Sequence, residues 1–127
     1  PYARSVDDDH DKATILASDY DWGDHHFEMP AWNELVIYEL HPGSFRMATK
    51  QAGTFPRTEY LQELGINAVE LLPISGFPGD ISMGYNTALP FAVESSYAKT
   101  ATVLKDLAKT AHAAGIAVIL DVVYNHW

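Results

Sequence analysis

The sequence contains no cysteine, which excludes disulfide scaffolds, thiol nucleophiles and Cys-based zinc sites while leaving the compartment open. It has no run of about 18 apolar residues, so no helical membrane span is written into it. The start, Pro1-Tyr2-Ala3-Arg4, has neither the basic n-region nor the apolar h-region of a secretory signal. Basic residues are scarce too: 8 Lys and Arg stand against 17 Asp and Glu, a formal charge of −9. Such a field repels phosphates and anionic lipids, which argues for no nucleic-acid and no membrane partner and favours a neutral polar one. Apolar residues are plentiful: 47% of 127 residues suits one modest core and not a disordered tail. The chain lacks an initiator Met and stops at Trp127 just after a strand-like segment, and is read as a piece of something longer.

The acidity is local. Residues 1 to 40 carry ten acidic and two basic side chains, a net −8, and the rest carries 7 against 6, a net −1. Asp7, Asp9 and Asp11 sit where an EF-hand loop places its first three ligands, but Lys12 replaces its glycine and Ser18 its bidentate glutamate. A solvated acidic loop is the better reading. From Asp19 to Pro30 no period holds, so this stretch reads as a connecting segment. His25 and His26 beside Asp24 are adjacent residues on an extended chain, which point in opposite directions and chelate poorly.

Leu35 to Leu40 is β-branched and aromatic and is followed by His41-Pro42-Gly43, which predicts a buried strand and a turn. Thr58 is placed to cap a short helix from Glu59 to Leu64, ended by Gly65. Ile66 to Leu72 predicts a second strand, closed by Pro73. The excursion from Ile74 to Tyr97 far exceeds the roughly two to six residues usual for a βα loop, and its Phe77, Tyr85, Phe91 and Tyr97 argue against disorder. Val103, Leu104, Leu107, Ala108, Ala111 and Ala114 recur at helical spacing between Thr100 and Gly115. Ile116 to Val123 is the third strand.

Near-continuous apolar strands separated by helices imply parallel strands in βαβ units, an α/β domain. A dinucleotide or phosphate site needs a Gly-rich turn after the first strand, and His41-Pro42-Gly43-Ser44-Phe45 is neither GxGxxG nor a P-loop. Polar residues gather instead at the C-terminal ends of all three strands: Glu39 and His41, then Glu70, then Asp121, Asn125 and His126. In barrels that rim is where sites are built. Glu39 and Glu70 on neighbouring strands are expected to need bases or protons, which the strands do not supply.

Asp121-Val122-Val123-Tyr124-Asn125-His126 at a strand end resembles the first signature region of the α-amylase family of glycoside hydrolases and transglycosylases. Upstream text agrees in order: Val36 to His41 resembles the family's first barrel strand, Leu64 to Pro73 its second, and Gly84-Tyr85-Asn86 with Pro90-Phe91 its aromatic-bearing loop. The Tyr38-Glu39-Leu40-His41 form is most similar to branching enzymes, debranching enzymes and maltooligosyltrehalose trehalohydrolases. The resemblance covers roughly residues 19 to 127. It implies that residues 34–127 are the first three strands of a (β/α)8 TIM barrel, incomplete here, that 19–33 is a linker, and that the acidic arm 1–18 ends a β-sandwich domain. Two departures stand out: the segment before Gly65 is shorter than is usual, and Met83 stands where a Trp often precedes Gly-Tyr.

The resemblance also implies roles. Aromatic faces bind sugar C–H surfaces, so Tyr85 is expected to stack on the sugar to be cleaved, and His126 to donate to that sugar's primary hydroxyl. Asp121 is expected to orient an arginine from the next strand. The bland readings are a core aromatic for Tyr85 and a satisfied structural histidine for His126. Asn125 lends its oxygen to a calcium ion in many α-amylases, less regularly in the branching and trehalose subgroup, so no cofactor is expected to be required. A retaining mechanism needs two carboxylates about 5 Å apart. The family supplies them after later strands, so no residue here is named as nucleophile or acid, and the isolated chain is expected to be inactive and aggregation-prone. The implied function is hydrolysis or transfer of glycosyl bonds in an α-glucan or maltooligosaccharide. The alternatives are a non-catalytic binding protein on an amylase-like barrel and an unrelated α/β domain.

Overall fold

The computed structural model describes residues 19–23, 26–49, 58–98, 100 and 102–125. The acidic arm with Asp7, Asp9 and Asp11, the Asp24-His25 pair and His126 lie outside the described residues. In chain order the elements are a 3-10 turn at Trp32–Glu34, β1 (Ile37–Leu40), α1 (Pro42–Thr49), α2 (Thr58–Glu63), β2 (Ala68–Leu71), β3 (Ser75–Gly76), β4 (Leu89–Val93), α3 (Val103–Ala113) and β5 (Ala117–Leu120).

The three apolar runs form a parallel sheet in the order β1-β2-β5. This is the α/β arrangement expected, with each strand shorter than its apolar run. Val69 and Leu71 of β2 face the helices, and with Leu40, Leu61, Ile74, Leu107, Ala111 and Ile116 they form the core. Leu61 of α2 and Leu107 and Ala111 of α3 come from the apolar stripes that helical spacing predicts, so both helices cover this one face. The opposite face carries the in-register pair Glu39 and Glu70. Glu39 is exposed and Glu70 half-buried, and no cation of the described residues pairs with either.

Two local expectations are corrected. His41-Pro42-Gly43 does not turn the chain; it starts α1. Pro42 occupies the first helical position, where its missing N–H costs nothing, and the His41 ring takes the capping role by accepting the Ser44 N–H at 3.0 Å. The excursion after β2 is not all loop: β3 and β4 pair antiparallel, Ser75 with Val93 and Gly76 with Leu89. The connecting segment before β1 docks on the outer face of α3. The Tyr20 hydroxyl donates to Asp106 at 2.7 Å, Lys109 donates to the Asp21 carbonyl at 2.8 Å, and Phe27 stacks on His112 at 4.1 Å.

Asn67 ties the entry to β1 onto β2. Its Oδ1 accepts the Val36 N–H at 2.7 Å and its Nδ2 donates to the Glu34 carbonyl at 2.9 Å, which prolongs the β1–β2 ladder by a side chain. Asn67→Ala is expected to lower stability by about 1–2 kcal/mol, read as a lower denaturant midpoint at unchanged slope. Burial against Phe27 pushes the His112 pKa below its ordinary 6.5. As pH falls through that value the unfolded chain takes a proton that the folded one refuses, so stability falls with pH until the depressed native pKa is passed. Melting temperatures between about pH 7.5 and 5 should therefore decline, and His112→Gln should flatten that decline.

Candidate functional site

Parallel pairing puts the C-terminal ends of β1, β2 and β5 at one rim. The ladder continues one step past β5, because the Asp121 N–H donates to the Leu71 carbonyl at 2.9 Å. Backbone bonding therefore fixes Asp121 before its side chain does anything. The loop between β3 and β4 returns to the same rim and presents Tyr85, whose hydroxyl donates to Asp121 Oδ2 at 2.6 Å. Gly84 makes this return possible. Its φ is +90°, and a Cβ there would overlap the Pro73 carbonyl oxygen, so no side chain fits where the loop passes beneath the end of β2.

The phenol of Tyr85 is pushed up to about 12, first by its hydrogen bond to Asp121, then by burial and the negative charges of Asp121, Glu39 and Glu70. It stays a neutral donor throughout the physiological range. The residue remains 40% exposed. The rim thus offers one aromatic surface and three carboxylates, acceptors without a cation among the described residues. That chemistry suits a neutral polyhydroxylated ring, with C–H faces for Tyr85 and hydroxyl donors for the carboxylates. Tyr85 and Asp121 are bonded to each other, a contact that the sequence did not announce, Glu39 and Glu70 stand in the same field, and Asn125 is exposed in a bend after β5. No group of three or more His, Asp or Glu among the described residues is placed to hold a metal ion.

A cleft of about 270 Å³ is lined by Asp121 together with Pro73, Phe91, Leu104, Leu120 and Tyr124 among others. It is mostly apolar, and Asp121 is the residue of its lining that also bonds Tyr85.

The model of the catalytic domain of alpha-amylases matches residues 40–127. The chain belongs to the alpha-amylase family. It is 41% identical over 117 residues to the malto-oligosyltrehalose trehalohydrolase of Saccharolobus solfataricus, covering 92% of this chain and 21% of that protein. It is 38% identical over 138 residues to the glycogen debranching enzyme of Pectobacterium atrosepticum, at 91% and 21% coverage. The pullulanase of Bacillus acidopullulyticus superposes with a TM-score of 0.77 at 28% identity, over 98% of this chain and 20% of that one. A Bacillus subtilis type I pullulanase solved with maltose gives a TM-score of 0.71 at 30% identity, over 98% and 22%. The chain thus spans about a fifth of the length of these alpha-amylase relatives.

Sequence reasoning missed three residues that shape this part of the alpha-amylase domain. Tyr97, only 4% exposed, was read as one more loop aromatic, yet its hydroxyl lies 2.7 Å from His41 Nε2. Ser82 accepts the Gly84 N–H on its hydroxyl at 2.9 Å. Glu94, only 3% exposed, accepts the N–H groups of Phe77 at 3.2 Å and Ser96 at 3.0 Å and so closes the turn after β4. The one available signal was the Glu94-Ser95-Ser96 run directly after an apolar segment. Removing the carboxylate in Asp121→Ala should return the Tyr85 phenol from about 12 toward the ordinary 10.0, followed in the tyrosine titration by NMR with Tyr85→Phe as the assignment.

Proposed function

We propose that this chain is part of an enzyme that hydrolyses α-glucosidic bonds in α-glucans or maltooligosaccharides by a retaining, two-step mechanism. The observation that carries the reading is the Tyr85–Asp121 bond of 2.6 Å at the strand-end rim, in a chain of this family. On this reading residues 34–127 are the first three strands of a (β/α)8 barrel. Tyr85 stacks on the sugar whose bond is cleaved, and Asp121 holds the hydroxyl of Tyr85 and so sets the ring's orientation. His126 donates to the primary hydroxyl of the same sugar. Retention needs one carboxylate as nucleophile and one as acid/base, about 5 Å apart, and no cofactor. Glu39, Glu70 and Asp121 are not assigned to either role, because the family supplies those two carboxylates after later strands.

The names of the relatives favour hydrolysis: trehalohydrolase, debranching enzyme and pullulanase. Maltose occupies one pullulanase structure and maltohexaose another, which supports a maltooligosaccharide as the ligand class. Glucan branching is the second reading, favoured by the Tyr38-Glu39-Leu40-His41 text of the first strand.

The natural full-length protein is expected to release reducing ends from maltooligosaccharides or from branched α-glucan. New branch points without reducing ends would select the second reading, and substrate left unchanged would leave a binding protein. In the active protein Tyr85→Ala should lower kcat/KM at least tenfold, about 1.4 kcal/mol of transition-state binding. An unaltered kcat/KM would remove Tyr85 from the subsite.

A further inference from the structure

Tyr85 is held at two places, and only one is its hydroxyl. The other begins at His41, one residue beyond β1. Its Nδ1 accepts the backbone N–H of Ser44 at 3.0 Å and lies 2.9 Å from the Ser44 hydroxyl. A ring nitrogen that accepts from a backbone N–H carries no proton, so the neutral ring keeps its hydrogen on Nε2. That nitrogen faces the Tyr97 hydroxyl at 2.7 Å and the Ser82 carbonyl at 3.1 Å, and the Tyr97 hydroxyl donates onward to the same carbonyl at 3.4 Å. The carbonyl of one exposed-loop residue therefore receives two donors from the body of the domain.

Ser82 passes this anchorage on. Its hydroxyl accepts the Gly84 N–H at 2.9 Å and donates to Asn86 Oδ1, so it is bonded on both sides of Tyr85. Gly84 is packed against Pro73 with no space to spare, which leaves the peptide carrying Tyr85 little freedom to follow a shifted Ser82 without moving the ring. The origin of the chain is equally constrained. Tyr97 is buried with its ring edge-on to His41 at 5.7 Å and to Phe77 at 5.9 Å, and a Cβ on Gly43 would stand 3.0 Å from Tyr97 Cε1. Glycine at position 43 is what lets the phenol reach the histidine.

We propose that His41 and Tyr97 are positioning residues for Tyr85, acting through the Ser82 carbonyl to fix the backbone from which the Tyr85 ring is presented at the rim. The bonds that they direct toward the loop end on the Ser82 carbonyl. They differ from a mere structural pair in what they control: Asp121 holds the end of the Tyr85 side chain, His41 and Tyr97 hold its root, and the 2.6 Å bond forms only when both ends are in place. The proposal rests on the glucan reading only where activity is measured.

Two substitutions separate positioning from folding. His41→Asn keeps a side-chain oxygen to cap α1 at Ser44 but cannot reach Tyr97 or Ser82. Tyr97→Phe keeps the ring contacts with His41 and Phe77 and removes only the hydroxyl. In the natural full-length protein labelled with [13Cζ]tyrosine, the Tyr85 titration midpoint should drop in both variants from about 12 toward 10.0, with the thermal midpoint little changed. The double variant should go further than either single one, since each leaves the other donor on the Ser82 carbonyl. KM for a maltooligosaccharide should rise several-fold in each at nearly constant kcat, the pattern of lost binding common to ground and transition states. A Tyr85 midpoint that stays near 12 in both variants overturns the proposal whatever the activity does. Should His41→Asn fail to fold, Tyr97→Phe alone decides by the same readout. A midpoint that drops in a protein that acts on no glucan upholds the positioning and removes the glucan reading.

Discussion

The rim hangs from one strand. Ala68–Leu71 is bonded on both edges, to β1 and to β5, and its register decides which side chains share a face. Because strand side chains alternate, a slip of one residue would carry Glu70 into the core and Val69 out to the rim. The four-residue strands leave little ladder to resist such a slip, and bonds at both ends lengthen it. Asn67 joins the N-terminal end to Val36 and Glu34, and at the C-terminal end Leu72 donates to Leu40 and Asp121 to Leu71. Packing then makes the register costly to leave, since Val69 and Leu71 are fully buried against Leu61 and Ile116. Asp121 stands where it does because a core strand cannot move.

A loop of more than twenty residues is a weak platform for a side chain that must hold one orientation, since closing it orders many backbone torsions. This one is shortened in effect by local structure. The β3–β4 pairing joins its two ends, the buried Glu94 ties Phe77 to the turn at Ser96, and His41 with Tyr97 draws Ser82 inward. The free span that presents Tyr85 is thereby reduced to a few residues, with Gly84 pressed on Pro73 at its centre. Mobility is removed where the ring is attached, and exposure is kept where a ligand would meet it.

What could be read in advance followed from periodicity and from local chemistry. The apolar runs predicted all three parallel strands, the three- and four-residue spacing predicted α3 with Leu107 and Ala111 inward, and the glycines at 65 and 115 marked the helix ends. Tyr85 and Asp121 were legible because short motifs carry them. Helix α1 was not, because its cap is a histidine and its second residue a glycine, both of which read as a turn. The β3–β4 pair escaped because a two-residue strand has no period. His41 with Tyr97 and Tyr20 with Asp106 are 56 and 86 residues apart, and no local pattern announces a contact of that kind.

The same long-range contacts explain why the strand-end carboxylates meet no cation among the described residues. Among the described residues the lysines are drawn to the back of the domain. Lys109 donates to Asp21, and both Lys105 and Lys109 lie over the Tyr20 ring, at 5.3 and 5.9 Å. There they fasten the acidic entry segment to α3, with Asp106 held low by the Tyr20 and Thr102 hydroxyls. Held on that face, they do not neutralise Glu39, Glu70 and Asp121 at the strand ends. An anion is repelled from such a rim, and a cation would gain charge pairing but no use of the Tyr85 face. A neutral ring that donates hydroxyl hydrogens to carboxylates and lays its C–H surface on an aromatic satisfies both features together. Charge is therefore separated between the outer side of α3, where the lysines meet the entry segment, and the strand-end rim, where the carboxylates stand.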